Sequence, residues 1–514
     1  MIIPITTSPR AYPAVYRRGS RPGATLPCAA GISSERKRTD GGAGKAWLAG
    51  AVALAAIAAG PVAEAGEART TPPTGTVAHE LSVDFSKSQG KFRALHGVNN
   101  GPLTPRGTPD LTSYFKAAGI PVSRLHDGIW SGAAVVDIPF LFPLDHLDPA
   151  EPANYRFART DDYVKAVLSA GAQIVYRLGT SIEPSVRKYD IHPPKDYDRW
   201  ATICVNVIRH YNDGWADGFH HNIRYWEIWN EPDNPAMWTG TPERFYRLYA
   251  VAAQAIKQHN SNLKIGGPGV TGNQEFIQGF LNYCREHRAP LDFFSWHIYS
   301  PHPLRIQQKA EQMRRTLDEH GFKQTESHLN EWHYFNGNWK RMLEPEYRKQ
   351  LFEEVNGPAG AAFNVAALLM LQDTSVDVAN YYSGDTLPFG MFDRFGVPHK
   401  TYYAFQAFGR LLETPQRLVC AGGDEKQGLV IGAGMAADRR FAQILVANFQ
   451  GVASRYRITL QSLPWTGQPR VEVLSLDVTH NLSTIRQEKL SGSNPVLVVE
   501  CPKSSVLLIR LLPE

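Results

Sequence analysis

The chain has 514 residues, enough for one large domain and a smaller one. Hydrophobic residues at 43% and charged residues at 20% exclude a disordered or fibrous chain. The net charge of +5 sits at one end: the first 65 residues hold eight of the 54 Lys/Arg and three of the 49 Asp/Glu, so the remainder carries 46 of each sign and has no footprint for nucleic acid or anionic membrane.

Residues 1–65 read as a leader. Glu35-Arg36-Lys37-Arg38 and Lys45 precede an apolar run from Ala46 to Gly60, followed by Ala63-Glu64-Ala65, an A-x-A cleavage pattern. The run is too short to span a bilayer, so the expectation is export, to a secreted or periplasmic location with no membrane attachment after processing. An apolar N-terminal helix is the alternative. Arg17-Arg18 lies too far upstream to form a twin-arginine signal. Beyond the leader, Cys204, Cys284, Cys420 and Cys501 have neither zinc spacing nor the density of a disulfide framework, and a Cys420–Cys501 bridge is left open.

Residues 66–88 are expected to be a linker and an N-terminal strand, Val77–Phe85, joining a C-terminal sheet. Over residues 89–412, strand-like runs alternate with helical ones. The strands are Leu95–Asn99, Val122–His126, Gln173–Leu178, Tyr225–Trp229, Lys264–Gly267, Phe293–Tyr299, His328–Trp332 and Val378–Tyr382. The helical segments carry ordinary caps. Thr241-Pro242-Glu243 supplies an N-cap, a proline at the first position and an early acid; Phe245, Leu248, Tyr249, Ala252 and Ile256 then line one face. Eight such units predict an α/β fold, a closed (β/α)8 TIM barrel with its functional groups at the C-terminal strand ends. A doubly wound open sheet is the alternative, but no glycine-rich phosphate loop follows the first strand. Residues 413–514 change to short strands between Gly, Pro and Asn turns, which predicts an accessory antiparallel β-sandwich.

Chemistry concentrates in Arg224-Tyr-Trp-Glu-Ile-Trp-Asn-Glu-Pro-Asp233. Pro232 removes a backbone donor and biases Glu231 towards an extended conformation, so the fourth strand is expected to end with Glu231 at its tip. Read alone, Asn-Glu-Pro is also what any strand running into a polar turn would show. A second acid occupies a similar place: His328-Leu-Asn-Glu331-Trp-His333 ends the seventh strand, which faces the fourth across an eight-stranded barrel. Two carboxylates flanking one bond are what glycosidic cleavage uses.

With those residues in view, the chain resembles glycoside hydrolase family 39 of clan A, the β-xylosidase and α-L-iduronidase family. Tyr225–Asp233 is similar to that family's acid/base segment, Leu329-Asn-Glu-Trp332 to its nucleophile segment, and Ser123-Arg-Leu-His-Asp127 to its second-strand segment. The resemblance implies a retaining glycosidase, β-xylosidase-like, with Glu231 as acid/base and Glu331 as nucleophile. It also implies substrate contacts from Asn230, His126, Arg124, His297, Tyr299, Trp332 and Asn99, with Arg124 and Tyr299 close to Glu331. Tyr176, Arg177, Glu183 and Tyr382 sit at other strand ends or loops, and Trp130, Trp238 and Trp339 are further candidates to stack on sugar faces. Glu231, under indoles and beside a second acid, is expected to be protonated at rest, and Glu331 ionised.

The partner implied is an oligosaccharide or polysaccharide. The Leu-Asn-Glu-Trp-His segment departs from the family's commoner form, so arabinose-containing side chains, uronic acid glycosides and exopolysaccharide stay open beside xylosides. A carbohydrate-binding barrel without catalysis is the reading of a different class, and it would not need both acids. No cofactor is called for, and none of the histidines forms the helical i, i+4 pair of a metalloprotease, so no metal is expected.

Overall fold

The structure is a computed structural model that describes residues 79–105, 109–183 and 187–514. The leader, the expected linker before residue 79 and the first two residues of the strand expected at Val77–Phe85 lie outside the described residues. Strand β1 runs over His79–Lys91, three residues past the predicted linker boundary.

Eight parallel strands then close a barrel in sequence order: β2 (Gly97–Asn99), β3 (Val122–Leu125), β4 (Gln173–Leu178), β5 (Tyr225–Ile228), β6 (Lys264–Val270), β7 (Phe293–Ser300), β8 (Glu326–Tyr334) and β9 (Val376–Tyr381), with β9 pairing back to β2. All eight sequence-predicted strands are present. Helices separate them and cap as the sequence dictates. Pro242–His259 starts at Thr241, whose hydroxyl accepts from the Arg244 N–H; Tyr197–Asp213 starts at Asp196 and stops at Gly214 in the left-handed region.

Pro358–Met370 is an exception to one-faced burial. Its residues from Gly360 to Met370 are all buried, because it lies between the barrel and the accessory sheet.

The C-terminal strands are β10 (Gln416–Ala421), β11 (Leu429–Met435), β12 (Ala442–Asn448), β13 (Arg455–Gln461), β14 (Arg470–Leu476), β15 (Asn481–Lys489), β16 (Val496–Glu500) and β17 (Ser505–Leu512). With β1 they form one sheet in the order β15-β14-β17-β12-β11-β10-β1-β13-β16. It is not purely antiparallel as expected: β1 pairs antiparallel with β10 but parallel with β13. Side chains from β1, β10 to β14, β16 and β17 share one hydrophobic cluster, so the sheet folds over its own core. Along β12, Ile444 and Val446 enter that cluster while Leu445 and Ala447 pack towards the barrel; a strand covered on both faces reads as a continuous apolar run. Strand β15 is an edge strand whose residues are mostly exposed, so it lacks the alternation that marks a half-buried strand. Cys420 and Cys501 are both free thiols, as are Cys204 and Cys284, so the bridge left open by the sequence is not formed.

Candidate active site

The C-terminal mouth of the barrel holds a cavity of about 590 Å³ whose lining includes Glu231, Glu331, His297, Tyr299, Asn230 and His126. The floor beneath it explains how the acids are held. Alternation along β5 points Glu227 into the barrel, where it is fully buried. Glu227 accepts from Arg124 Nε at 2.6 Å, from Ser295 Oγ at 2.6 Å and from the Asn330 amide. Arg124 is also fully buried: Nη1 donates to Asn99 Oδ1 at 3.0 Å and to Glu331 Oε2 at 3.4 Å, and Nη2 donates to Asn230 Oδ1 at 2.6 Å. With its oxygen taken, Asn230 leaves its amide nitrogen for the cavity.

Glu231 does not sit at an extended strand tip, contrary to the sequence expectation. Strand β5 ends at Ile228, and Trp229 (φ 71°) and Glu231 (φ 48°) take left-handed conformations. The Glu231 N–H donates to the carbonyls of Pro268 and Gly269, each at 3.1 Å, and that anchorage to the end of β6 overrides the bias from Pro232. Asp233 ties the same loop down by accepting from the backbone N–H groups of Thr271, Gly272 and Asn273. Gly269 is required where it stands: it has φ 65°, and a Cβ there would approach His297 Nε2 to 3.0 Å.

On β8 the period-2 pattern breaks. An irregularity in its pairing with β7 between Leu329 and Glu331 lets both Asn330 and Glu331 face the barrel interior. Glu331 accepts from Tyr299 Oη at 2.7 Å. Glu231 accepts from His297 Nδ1 at 2.8 Å and from the Asn234 amide at 2.9 Å, and His297 Nδ1 is 3.7 Å from Glu331 Oε2. One oxygen of each glutamate and His297 Nδ1 all lie within 4.8 Å of one another. This is the one donor cluster of metal-site spacing among the described residues, and its imidazole N–H is already spent on Glu231.

The electrostatics reverse the expected division. Burial opposes the charge of Glu231, but the hydrogen bond and charge of His297 with the Asn234 bond hold its carboxyl below the usual range. The indoles expected above Glu231 point elsewhere: Trp229 and Trp238 pack on each other and donate to the Met237 and Thr241 carbonyls. Burial and the negative charge of Glu231 push Glu331 up, against His297, Arg124 and Tyr299. Burial disfavours a charged His297, yet the two carboxylates raise it above the ordinary imidazole range. His126 is the converse: burial, then the charges of Arg124, Arg177 and His297, keep it neutral.

Several predicted contacts are corrected. Arg124 and Asn99 are buried in the floor, where Asn99 donates to the carbonyl of Asn330, and neither lines the cavity. Trp332, one residue past Glu331, points out of the barrel and packs on Tyr381 and Phe405. Tyr176, Arg177, Glu183, Trp130 and Trp238 also lie outside the lining; Arg177 pairs with Asp137, and Glu183 accepts from the Tyr189 and Asp190 N–H groups. Tyr382 and Trp339 do line the cavity, Trp339 stacked on Phe335 with centroids 4.1 Å apart and half exposed. Sequence reasoning missed Glu227, Asp127 and Asn234. The signal for Glu227 was present, a lone charge at an inward position of an otherwise apolar strand.

Fold and site together define a (β/α)8-barrel protein with paired carboxylates at the C-terminal mouth. Residues 151–343 match the model of glycosyl hydrolases family 39. It is 36% identical over 117 residues to a β-xylosidase of Geobacillus stearothermophilus, covering 22% of this chain and 23% of that one. It is 28% identical over 272 residues to a β-xylosidase of Caldicellulosiruptor saccharolyticus, covering 48% and 52%. The matched stretches thus span about half or less of these curated relatives. The solved structure of a glucosidase from Croceicoccus marinus superposes with a TM-score of 0.72 at 28% identity, over 85% of this chain and all of that one.

Proposed function

We propose that the protein is a retaining glycoside hydrolase acting on a β-xyloside-like substrate by double displacement. The observation that carries this reading is the approach of the two glutamates. One oxygen of Glu231 and one of Glu331 lie within 4.8 Å, which fits the close pairing of retaining glycosidases, about 5–5.5 Å between carboxyl groups, better than the about 6.5–9.5 Å of inverting ones. The likeness to the two β-xylosidases supplies the choice of xyloside.

In the first step a Glu331 oxygen attacks the anomeric carbon, the bond to the leaving oxygen breaks, and that oxygen takes a proton from Glu231. In the second, Glu231 takes a proton from water, whose oxygen displaces Glu331 and releases the sugar. Glu231 is ionised in the free protein, so its proton is delivered across the 2.8 Å bond from the His297 imidazolium as charge grows on the leaving oxygen. Asn230 offers its amide N–H to the hydroxyl next to the anomeric carbon. Arg124 acts from below, fixing Asn230 and Glu331 together.

Turnover of aryl β-xylosides followed by proton NMR tests this directly. The first-formed sugar should have the β configuration; α-sugar as first product would replace the mechanism by inversion, and no turnover on any aryl glycoside would return the site to a binding role. We also propose that the leader directs export, in which case mature protein begins near Gly66; recovery of active cytoplasmic protein with residues 1–65 intact would refute it.

A further inference from the structure

The wall of the cavity opposite His297 carries a third carboxylate that the double displacement does not use. Asp127 lies two residues past the end of β3, the second barrel strand, while β7 is the sixth, directly across the ring. Its side chain is about 5% exposed and belongs to the cavity lining. Oδ1 accepts from the Ile182 N–H at 3.0 Å and Oδ2 from Tyr382 Oη at 2.8 Å. Each oxygen of an ionised carboxylate has a second lone pair, so two acceptor positions stay open.

Beside Asp127 stands a donor. His126 Nδ1 accepts from Arg177 Nε at 3.2 Å, so the proton of this neutral ring is on Nε2, 3.4 Å from Asp127 Oδ1. An acceptor next to a donor on one wall is complementary to sugar hydroxyls, which both give and take hydrogen bonds. Among the described residues no lysine or arginine lines the cavity, and no guanidinium or ammonium group forms an ion pair with Asp127, which feels Arg177 only at longer range. Burial accordingly pushes its carboxyl up to about 6, against the bonds from Tyr382 and Ile182.

We propose that Asp127 is the specificity-determining residue of the glycone site, an acceptor that reads hydroxyl groups and turns away glycones bearing a carboxylate. A uronate entering this cavity meets Asp127, Glu231 and Glu331, and the one cationic group in the lining, the His297 imidazolium, already donates to Glu231, whereas a neutral pentose or hexose presents the donors Asp127 lacks. This assignment rests on the glycosidase reading above and narrows it to uncharged glycones.

The test compares full-length wild-type and Asp127→Asn proteins on aryl β-xyloside and aryl β-glucuronide at pH 7. Wild type should favour the xyloside by at least about 100-fold in kcat/KM. The nearly isosteric asparagine should lose about 10–100-fold on the xyloside, chiefly in KM, and narrow the ratio by about tenfold or more. An unchanged ratio at an unchanged Tm would overturn the proposal, as would a wild-type preference for the glucuronide. Should Asp127→Asn not fold, wild type alone decides: the neutral aryl glucuronamide should be cleaved at least about tenfold faster than the glucuronide, and equal rates refute the charge argument. If wild type cleaves nothing, the catalytic reading fails separately. Calorimetry with xylose and glucuronate still tests Asp127, through selective binding of xylose or, against it, binding of both or of neither.

Discussion

Glu231 and Glu331 are identical side chains a few ångströms apart, and they are held by opposite means. Glu331 lies within a strand, admitted to the interior by a pairing irregularity, and its neighbours are a phenol, a guanidinium at 3.4 Å, the His297 ring at 3.7 Å and its own rival acid. Glu231 lies on a left-handed loop fastened to β6, and its neighbours are an imidazole and an amide that both donate to it. Position along the chain is thus a poor guide to proton affinity in this pair. The donors that reach each carboxylate decide, and most of them come from β7 and the loops. The two acids also share His297, whose Nδ1 lies 2.8 Å from Glu231 and 3.7 Å from Glu331, so each acid feels the charge on that ring.

The largest effect that would break this comparison is expected at Glu331. Glu331→Ala should lower kcat on every aryl glycoside by on the order of 10⁴-fold or more, because no covalent intermediate forms. Added azide should then yield only glycosyl azide of inverted configuration. Glu231→Ala should cost about 10²–10⁴-fold on poor leaving groups and much less on acidic phenols, with azide rescue to retained product. The opposite pattern of rescue would exchange the two roles.

Arg124→Met comes next. It strands Glu227 and Glu331 as buried charges without their cation, and about 3–5 kcal/mol of stability should be lost in denaturant unfolding. Wild-type stability in the variant would mean that the floor is not held by charge.

The smallest effect sharpens the comparison through pH. Glu331 must be ionised to attack and its pKa is raised, so activity should fall as pH drops through a value above the ordinary carboxylate range. The imidazolium supplies the acid and is also raised, so activity should fall again as pH rises through a value above the ordinary imidazole range. Tyr299→Phe removes a donor from the charged form of Glu331 alone. It should move the acid limb of kcat/KM to higher pH, lower the optimum rate about tenfold, and leave the alkaline limb in place. Movement of the alkaline limb instead would show that Tyr299 acts on His297.

The sequence made the eight barrel strands and both glutamates legible, because alternation and strand-end placement are local properties that survive folding. Trp332 and Asn99 were misplaced for a reason the same alternation contains. Trp332 is adjacent to an inward Glu331 and so faces outward, and Asn99 faces inward but below the mouth, where Arg124 claims it. Glu227 was legible and was passed over. The left-handed turn at Glu231, the irregularity that admits Asn330 together with Glu331, and the low proton affinity of Glu231 were not legible. Each depends on a contact between elements far apart in the chain: the carbonyls of Pro268 and Gly269, the register against β7, and the imidazole of His297.

The placement of β1 has a consequence for how the protein is made. Its partners β10 and β13 are encoded more than 300 residues later, beyond the whole barrel. At ribosomal speeds of about 5–20 residues per second, Leu81, Val83 and Phe85 emerge and wait tens of seconds before anything exists to cover them. The barrel meanwhile has all its strands and is free to close. The accessory sheet is therefore the last part to be completed, and β1, synthesised before every other described strand, is among the last to find its place.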